Sequence, residues 1–201
     1  MTPARPFSIG LTGSIGMGKS TTARMFSKHG VAIWDADETV SRLYAKGGAG
    51  VEKIQSICPD AIVDNAVSRD VLRAWIAKDR DALRKIESVI HPLVSEDRRQ
   101  FMAQAETDIV VLDIPLLFET DQESSFDLVV VASASSDVQR ERVLARDGMT
   151  IGQFETILAK QTTDSEKRKR AEFIVPTDRM ESAEQAVEEI LEHVRKRLVD
   201  A

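Results

Sequence analysis

The sequence predicts an α/β protein in which a parallel sheet is covered by helices on both faces. Five short apolar runs rich in β-branched residues lie along the chain, at residues 7–12, 31–35, 109–114, 127–132 and 173–175. Each is mostly apolar and does not alternate with polar residues, as expected for a strand that is buried on both faces. Helical periodicity fills the intervals, and this alternation favours parallel strands joined by helical crossovers.

The intervals between the strands differ in length. The first two strands are separated by enough chain for one crossover helix, whereas residues 36–108 separate the second from the third and must hold additional structure. Helices are predicted there at residues 38–45, 50–57, 69–77 and 79–105. Breaks are expected at Cys58-Pro59 and His91-Pro92, because a residue before proline disfavours the helix. A second helical insertion is predicted at residues 135–171, and an amphipathic helix ends the chain.

Composition excludes several classes of protein. The 201 residues are 42% hydrophobic and 30% charged, which is typical of a globular chain, and no apolar run is long enough to cross a bilayer. The net charge of -6 argues against nucleic acid or an anionic membrane as partner. Cys58 is the single cysteine, so an intrachain disulfide is impossible, and the histidines show no zinc spacing with it. The first residues lack a secretory apolar region, which predicts a cytoplasmic protein.

The most specific motif is GSIGMGKST, between the first predicted strand and the helix after it. It fits G-x-x-x-x-G-K-[ST], the pattern of a loop whose backbone N–H groups surround phosphates. Glycines let the backbone approach a triphosphate, a lysine reaches the β- and γ-phosphates, and a hydroxyl ligates magnesium. The alternative is a glycine-rich turn with an exposed lysine. The predicted nucleotide-binding residues are Gly13, Ser14, Ile15, Gly16, Met17, Gly18, Lys19, Ser20 and Thr21.

Three carboxylates follow predicted strands. Asp35 and Asp37 come at the end of the second strand, and a carboxylate there can accept a proton from an attacking hydroxyl or hold magnesium. Alternatively they cap the next helix. Asp113 ends the third strand in the manner of a Walker-B carboxylate, although a turn or cap residue is also compatible with this position. Ser20, Asp35 and Asp113 are the candidate magnesium ligands.

Basic residues concentrate in the second insertion. Arg142 and Arg146 are four apart on a predicted helix, so they share a face on which two guanidinium groups can clamp the charge of a transferred phosphoryl group. The alternative is a solvated helix face without a ligand. The run KRKR at residues 167–170 is interpreted as another solvated face, since the chain is acidic and the run has no interleaved aromatics.

Taken together, these residues resemble the dephospho-coenzyme A kinase family nearly from end to end. The resemblance rests on GLTGSIGMGKST, DAD after the second strand, IHP in the first insertion, PLLFE after the third strand, and QRERVLARDGMT followed by ILAKQ. It implies a P-loop nucleoside-kinase-like fold with a core at residues 1–38, 108–136 and 171–201. It further implies a helical coenzyme A subdomain at residues 39–107 and a lid at residues 137–170.

The activity that the resemblance implies is magnesium-dependent transfer of the ATP γ-phosphoryl group to the ribose 3′-hydroxyl of dephospho-coenzyme A. The implied catalytic residues are Lys19, Asp37, Arg142 and Arg146, with Asp37 at the ribose hydroxyl. The implied acceptor-binding residues are Asp37, His91, Leu116 and Glu119; for His91 a structural role is the alternative.

The sequence departs from the family pattern in two segments. Glu172, Pro176 and Thr177 replace the expected residues of the fifth strand region, and ICPDA stands where a Phe-Gly pair is common. Another small-molecule phosphate-loop kinase, of the nucleoside monophosphate or shikimate type, is the alternative enzyme. The sequence argues against a guanine-nucleotide switch, because neither N-K-x-D nor T-K-x-D occurs.

Overall fold

A computed structural model describes residues 5–200. Residues 1–4 and 201, which belong to the predicted core, lie outside this range. In chain order, the strands and longer helices are β1 (Phe7–Thr12), α1 (Lys19–Lys28), β2 (Ala32–Asp35), α2 (Ala36–Tyr44), α3 (Ala49–Ile57), β3 (Ile62–Val63), β4 (Ala66–Val67), α4 (Arg69–Lys78), α5 (Ala82–Gln104), β5 (Ile109–Asp113), β6 (Leu128–Ser133), α6 (Ser136–Leu144), α7 (Ile151–Leu158), α8 (Asp164–Arg170), β7 (Phe173–Pro176) and α9 (Met180–Val199).

The chain divides into two compact units. One contains the residues up to Trp34 together with those from Ala105 onwards, and the other is Asp35–Gln104. The second unit therefore begins at Asp35 instead of 39 and ends at Gln104 instead of 107. That it binds coenzyme A, and that residues 137–170 act as a lid, stay predictions.

A five-stranded sheet in the order β2-β5-β1-β6-β7 organises the first unit. The pairs β1–β5, β1–β6 and β6–β7 are parallel, and Leu11 lies opposite both Asp113 and Val130. The α/β class and all five sheet strands are confirmed, with strand ends within one residue of the prediction. Because the strands are parallel, the chain segments that follow β1, β5 and β6 leave the sheet at the same edge.

Both faces of this sheet are covered. Ile9 and Leu11 point to the side on which α1 and α9 pack, with Phe26 and Ile190 in the same buried cluster. On the opposite face, a Cβ at Gly10 would lie 2.8 Å from the Phe126 ring, so aromatic packing reaches the backbone of the central strand. Burial on both faces explains why these strands are apolar without alternation.

The second unit is helical, as predicted, with its own buried cluster around Ile54, Leu72 and Ile90. It also contains the antiparallel hairpin β3–β4, which the sequence reading missed. Asp64 and Asn65 form its turn with φ of 52° and 62°, values that aspartate and asparagine tolerate better than most residues. The Asp-Asn pair between Ile-Val and Ala-Val was the available signal.

The predicted break at His91-Pro92 is wrong, whereas α3 does end at Ile57, before Cys58-Pro59. Helix α5 runs through Pro92 from Ala82 to Gln104. A proline inside a helix leaves the carbonyl four residues earlier without its N–H donor. Here that residue is Ser88, and both Ser88 and Pro92 are exposed, so water can bond the Ser88 carbonyl. Packing of the buried face of α5 stabilises the helix on both sides of Pro92.

Among residues 5–200, no helix combines the length and the apolar character that a membrane span requires.

Candidate functional site

The loop between β1 and α1 has the backbone that the glycine motif predicts. Gly16 and Gly18 adopt left-handed conformations with φ of 79° and 86°. Gly18 is the N-cap of α1, and its carbonyl accepts from the N–H groups of Thr21 and Thr22. The first turn of α1 thus follows the loop directly, which makes its N-terminus an anion-binding position by charge and by N–H direction.

Close packing excludes side chains at the glycines of this loop. A Cβ at Gly16 would lie 2.5 Å from Val143 Cγ2, and one at Gly18 would lie 2.8 Å from Thr177 Oγ1. Both neighbours come from elements distant in the sequence. Glycine is therefore required here for space as well as for φ.

Lys19 and Asp113 meet as an ion pair at the carboxyl edge of the sheet. Asp113 is only 1% exposed and the Lys19 side chain is 15% exposed. The motif lysine thus binds the carboxylate that ends β5. Because Asp113 is buried, its ion pair with Lys19 holds the ammonium group beside the loop before any phosphate is bound.

The oxygen donors predicted for magnesium differ in their surroundings. Ser20 lies exposed in the first turn of α1, and Asp113 is buried at the end of β5. A hydroxyl and one carboxylate suit Mg²⁺, which takes few protein ligands and completes its shell with water and substrate phosphates. Among the described residues, no group of three or more His, Cys, Asp or Glu could hold a metal.

Asp35 and Asp37 belong to the second unit. Asp35 is the N-cap of α2, and its Oδ1 accepts the Glu38 N–H at 2.9 Å, which confirms the capping alternative for this residue. Asp37 is exposed in the first turn of the same helix. Their roles toward magnesium and the acceptor hydroxyl stay predictions.

Arg142 and Arg146 do not share a helix face, and this prediction is wrong. Helix α6 ends at Leu144, so Arg146 lies in the bend after it and is exposed. Arg142 instead donates to Thr177, to Oγ1 at 3.1 Å and to the carbonyl oxygen at 2.6 Å. Sequence periodicity extended the helix by one turn because nothing between Leu144 and Gly148 is a strong helix breaker.

Thr177, which departs from the family pattern, links several parts of the site. Its hydroxyl lies 2.8 Å from the Met17 carbonyl oxygen and 3.3 Å from the Ser133 carbonyl oxygen. Next to it, hydrogen bonds from Ser135 hold the pKa of Asp178 below its usual value. The sequence reading had no signal for this role beyond the departure itself.

The interpretation of the basic run at residues 167–170 as a solvated face is wrong for Lys167, whereas the other three residues of the run are exposed. Lys167 is fully buried and pairs with Glu119 at 3.0 Å, while Arg170 bonds Glu123 and lies 4.7 Å from the centre of the Phe118 ring. The hydrogen bond from Arg170 lowers the pKa of Glu123. Arg168 and Lys169 are exposed to water, as the solvated-face interpretation predicts.

The remaining predicted acceptor residues belong to both units. His91 is exposed on α5 of the second unit, and in the first unit Leu116 is exposed. Glu119 has a side chain only 13% exposed and accepts from the Thr162 N–H at 2.8 Å. Their roles toward an acceptor stay predictions.

Comparison with known proteins identifies the family. The family model described as dephospho-CoA kinase matches residues 7–182. A protein named dephospho-CoA kinase from Cereibacter sphaeroides is 52% identical over 192 residues, covering 96% of this chain and 98% of the relative. One of the same name from Ruegeria pomeroyi is 51% identical over 189 residues, covering 94% and 96%.

Solved structures share the fold. A crystal structure of a Thermus thermophilus protein superposes with a TM-score of 0.83 at 29% identity, covering 97% of this chain and 99% of that one. A dephospho-CoA kinase from Campylobacter jejuni superposes with a TM-score of 0.63 at 21% identity, covering 95% and 98%. With the family model and the relatives matching almost the whole length, the chain belongs to the dephospho-CoA kinase family.

Proposed function

We propose that this chain transfers the γ-phosphoryl group of ATP to the ribose 3′-hydroxyl of dephospho-coenzyme A, giving coenzyme A and ADP as the last step of coenzyme A synthesis. The observation that carries the proposal is the Gly13–Thr21 loop, with its left-handed glycines and its placed lysine, in a chain of this family. The loop accounts for the phosphate donor, and the family accounts for the acceptor.

The loop binds the triphosphate through its backbone. N–H groups at the glycines and at the start of α1 take the place of the water that solvates phosphate oxygens. Lys19 then moves part of its interaction from Asp113 to the β- and γ-phosphate oxygens. Phosphoryl transfer depends mainly on positioning and on charge stabilisation, and a lysine already placed at the site serves both.

Magnesium would be held by the Ser20 hydroxyl and the Asp113 carboxylate, the latter directly or through water. When bound, the ion neutralises charge on the β- and γ-phosphate oxygens. Lys19 and the cation would then share Asp113, which keeps the net charge near the phosphates positive. Asp35 has one oxygen engaged as a helix cap, so it ranks behind Asp113 as a ligand.

Two further side chains complete the proposed chemistry. Asp37 orients the acceptor hydroxyl and takes its proton as the bond to phosphorus forms. Arg146, whose guanidinium is exposed, donates to the equatorial oxygens of the transferred group. Arg142 supports the site from its bonds to Thr177. A cytoplasmic location and the lack of a nucleic-acid partner stay predictions.

The test is an ADP-release assay over a panel of acceptors: dephospho-coenzyme A, AMP, CMP, shikimate, pantothenate and water. We expect turnover with dephospho-coenzyme A alone, and the product should support an enzyme that requires 3′-phosphorylated coenzyme A. Omission of magnesium should abolish the reaction. Turnover with AMP or shikimate but none with dephospho-coenzyme A would contradict the proposal and favour the alternative small-molecule kinase.

A further inference from the structure

The buried lysine of α8 is the most unusual charged residue in the first unit. Lys167 has no exposed side-chain area and lies 3.0 Å from Glu119, whose side chain is 13% exposed. The two groups meet as an ion pair without the angles of a hydrogen bond. A buried ion pair rarely adds net stability over apolar packing, so stability alone does not explain the presence of Lys167 and Glu119 here.

Glu119 connects this lysine to the turn before α8. The same Glu119 oxygen that faces Lys167 accepts the Thr162 N–H at 2.8 Å. One turn before Lys167 on α8, Asp164 accepts from the Ser133 hydroxyl, also at 2.8 Å. The segment 162–167 is thus attached at Glu119 after β5 and at Ser133 in β6.

Gln161, the residue before Thr162, contacts the phosphate loop. The Ile15 N–H donates to Gln161 Oε1 at 3.2 Å, and the Ile15 carbonyl accepts from Gln139 Nε2 at 2.8 Å. Both backbone polar groups of this loop residue are therefore bonded to glutamine side chains. Gln139 lies on α6 and is buried, whereas Gln161 depends on the turn that Glu119 and Lys167 hold.

We propose that Gln139 and Gln161 form a clamp that sets the phosphate loop in its nucleotide-binding shape, and that Lys167 is the positioning residue that holds Gln161 through Glu119. This inference rests on the proposed function, because it needs the loop to bind ATP. It assigns Glu119 to the ordering of the loop instead of to the acceptor.

The physical reason is preorganisation. A glycine-rich loop has many accessible conformations and pays an entropy cost when a ligand orders it. A loop whose peptide groups are already bonded in place pays less of that cost on binding. Loss of the clamp should therefore weaken ATP binding while leaving the chemical step nearly unchanged.

The first variant to test is Gln161→Ala, with Gln185→Ala as its control. Gln185 is exposed on α9 and bonds Glu189, so it matches the chemistry of the change at a position away from the loop. We expect the Kd for ATP, measured by calorimetry, to rise about fivefold for Gln161→Ala, the equivalent of one ordinary hydrogen bond. The kcat and the melting temperature of Gln161→Ala should stay close to the wild-type values. The control Gln185→Ala should leave the Kd for ATP, the kcat and the melting temperature unchanged.

The second test separates positioning from stability at the ion pair. Lys167→Met leaves Glu119 buried without its cation and should lower the melting temperature by about 10 °C. The double variant Lys167→Met with Glu119→Gln should recover most of that stability yet keep the raised Kd for ATP. The KM for dephospho-coenzyme A should not move. Lys169→Met, which removes an exposed charge two residues away, is the control and should behave as wild type.

Two results would overturn the inference. One is equal ATP affinity in the wild type and Gln161→Ala, since the clamp would then contribute nothing to binding. The other is a double variant with restored stability and wild-type ATP affinity, which would make the ion pair purely structural. A wild-type protein that binds no ATP would overturn the proposed function along with the clamp, so the two failures are distinguishable.

Discussion

The phosphate loop and the helical segment at residues 136–170 use positive charge in different ways. The loop has a single lysine, Lys19, held at the site by the buried Asp113. The helical segment has several basic residues, but Arg142, Lys167 and Arg170 are engaged by Thr177, Glu119 and Glu123. The segment also has three exposed arginines, Arg140, Arg146 and Arg168, whose guanidinium groups make no hydrogen bond or ion pair within the described residues 5–200.

This difference teaches that the number of basic residues near a site says little about the charge offered to a ligand. A guanidinium that binds its own chain stabilises a conformation, whereas an exposed one is available to an arriving phosphate. In the loop, one charge suffices because its position is already set. In the helical segment, Arg142 and Arg170 hold structure, and among the exposed arginines Arg146 is the one proposed to meet the transferred phosphoryl group.

The largest effect is expected for the loop lysine. Lys19→Ala should lower kcat/KM about a thousandfold, since donors placed at developing charge are worth that much. It should also lower the free energy of unfolding by about 2 kcal/mol, because the buried Asp113 loses its lysine. Steady-state kinetics and urea unfolding measure the two effects.

Lys28→Ala is the control for this prediction. Lys28 is in the same helix and pairs with an exposed Glu184 at 3.5 Å, so its loss should be nearly neutral. Activity of Lys19→Ala near the wild-type level would remove the phosphate loop from the mechanism and end the contrast with the helical segment.

An intermediate effect is expected for Arg146. Arg146→Lys should lower kcat on the order of 100-fold, nearly as much as Arg146→Ala, because a point charge does not reproduce the planar pair of donors. The melting temperature should not change, since this exposed side chain forms no hydrogen bond or ion pair within residues 5–200. Arg140→Lys, an exposed arginine on α6, is the control. Full activity in Arg146→Lys would shift the clamping role to Arg142.

The smallest effect on activity is expected from crowding in the phosphate loop. It tests the comparison of the loop with the helical segment, because a Cβ at Gly16 would meet Val143 on α6. Gly16→Ala and Gly30→Ala both place an alanine at φ of 79°, and each should cost about 1–2 kcal/mol for that conformation. Gly30 has open space around it, whereas the Gly16 position meets Val143. Gly16→Ala should therefore cost about 1–3 kcal/mol more and weaken ATP binding about tenfold.

Val143→Ala should return part of that additional cost in the double variant with Gly16→Ala. Urea unfolding and calorimetry with ATP measure both quantities. Equal losses of unfolding free energy in Gly16→Ala and Gly30→Ala would mean that the loop moves away from α6 without cost. The clamp formed by Gln139 and Gln161 would then not keep the loop in one shape.

The sequence by itself determined the α/β class, the five strands of the sheet and the phosphate loop. These depend on local patterns: apolar runs of strand length, helical periodicity between them, and glycines whose backbone freedom the loop needs. The structure adds that Gly16 and Gly18 lie at positive φ, which glycine adopts readily. Each pattern involves residues within a few positions of one another, so it can be read without knowing the fold.

Only the tertiary structure decided which charged residues are available and which are engaged. Lys167 and Arg170 lie in one basic run, yet one is fully buried against Glu119 and the other bonds Glu123. Arg142 is engaged because β7 brings Thr177 beside α6. Helix α5 passes through Pro92 for a similar reason, since packing of its buried face outweighs one local hydrogen bond. Such outcomes depend on partners far away in the sequence, and long-range burial sets the cost of leaving a charge or a peptide group without one.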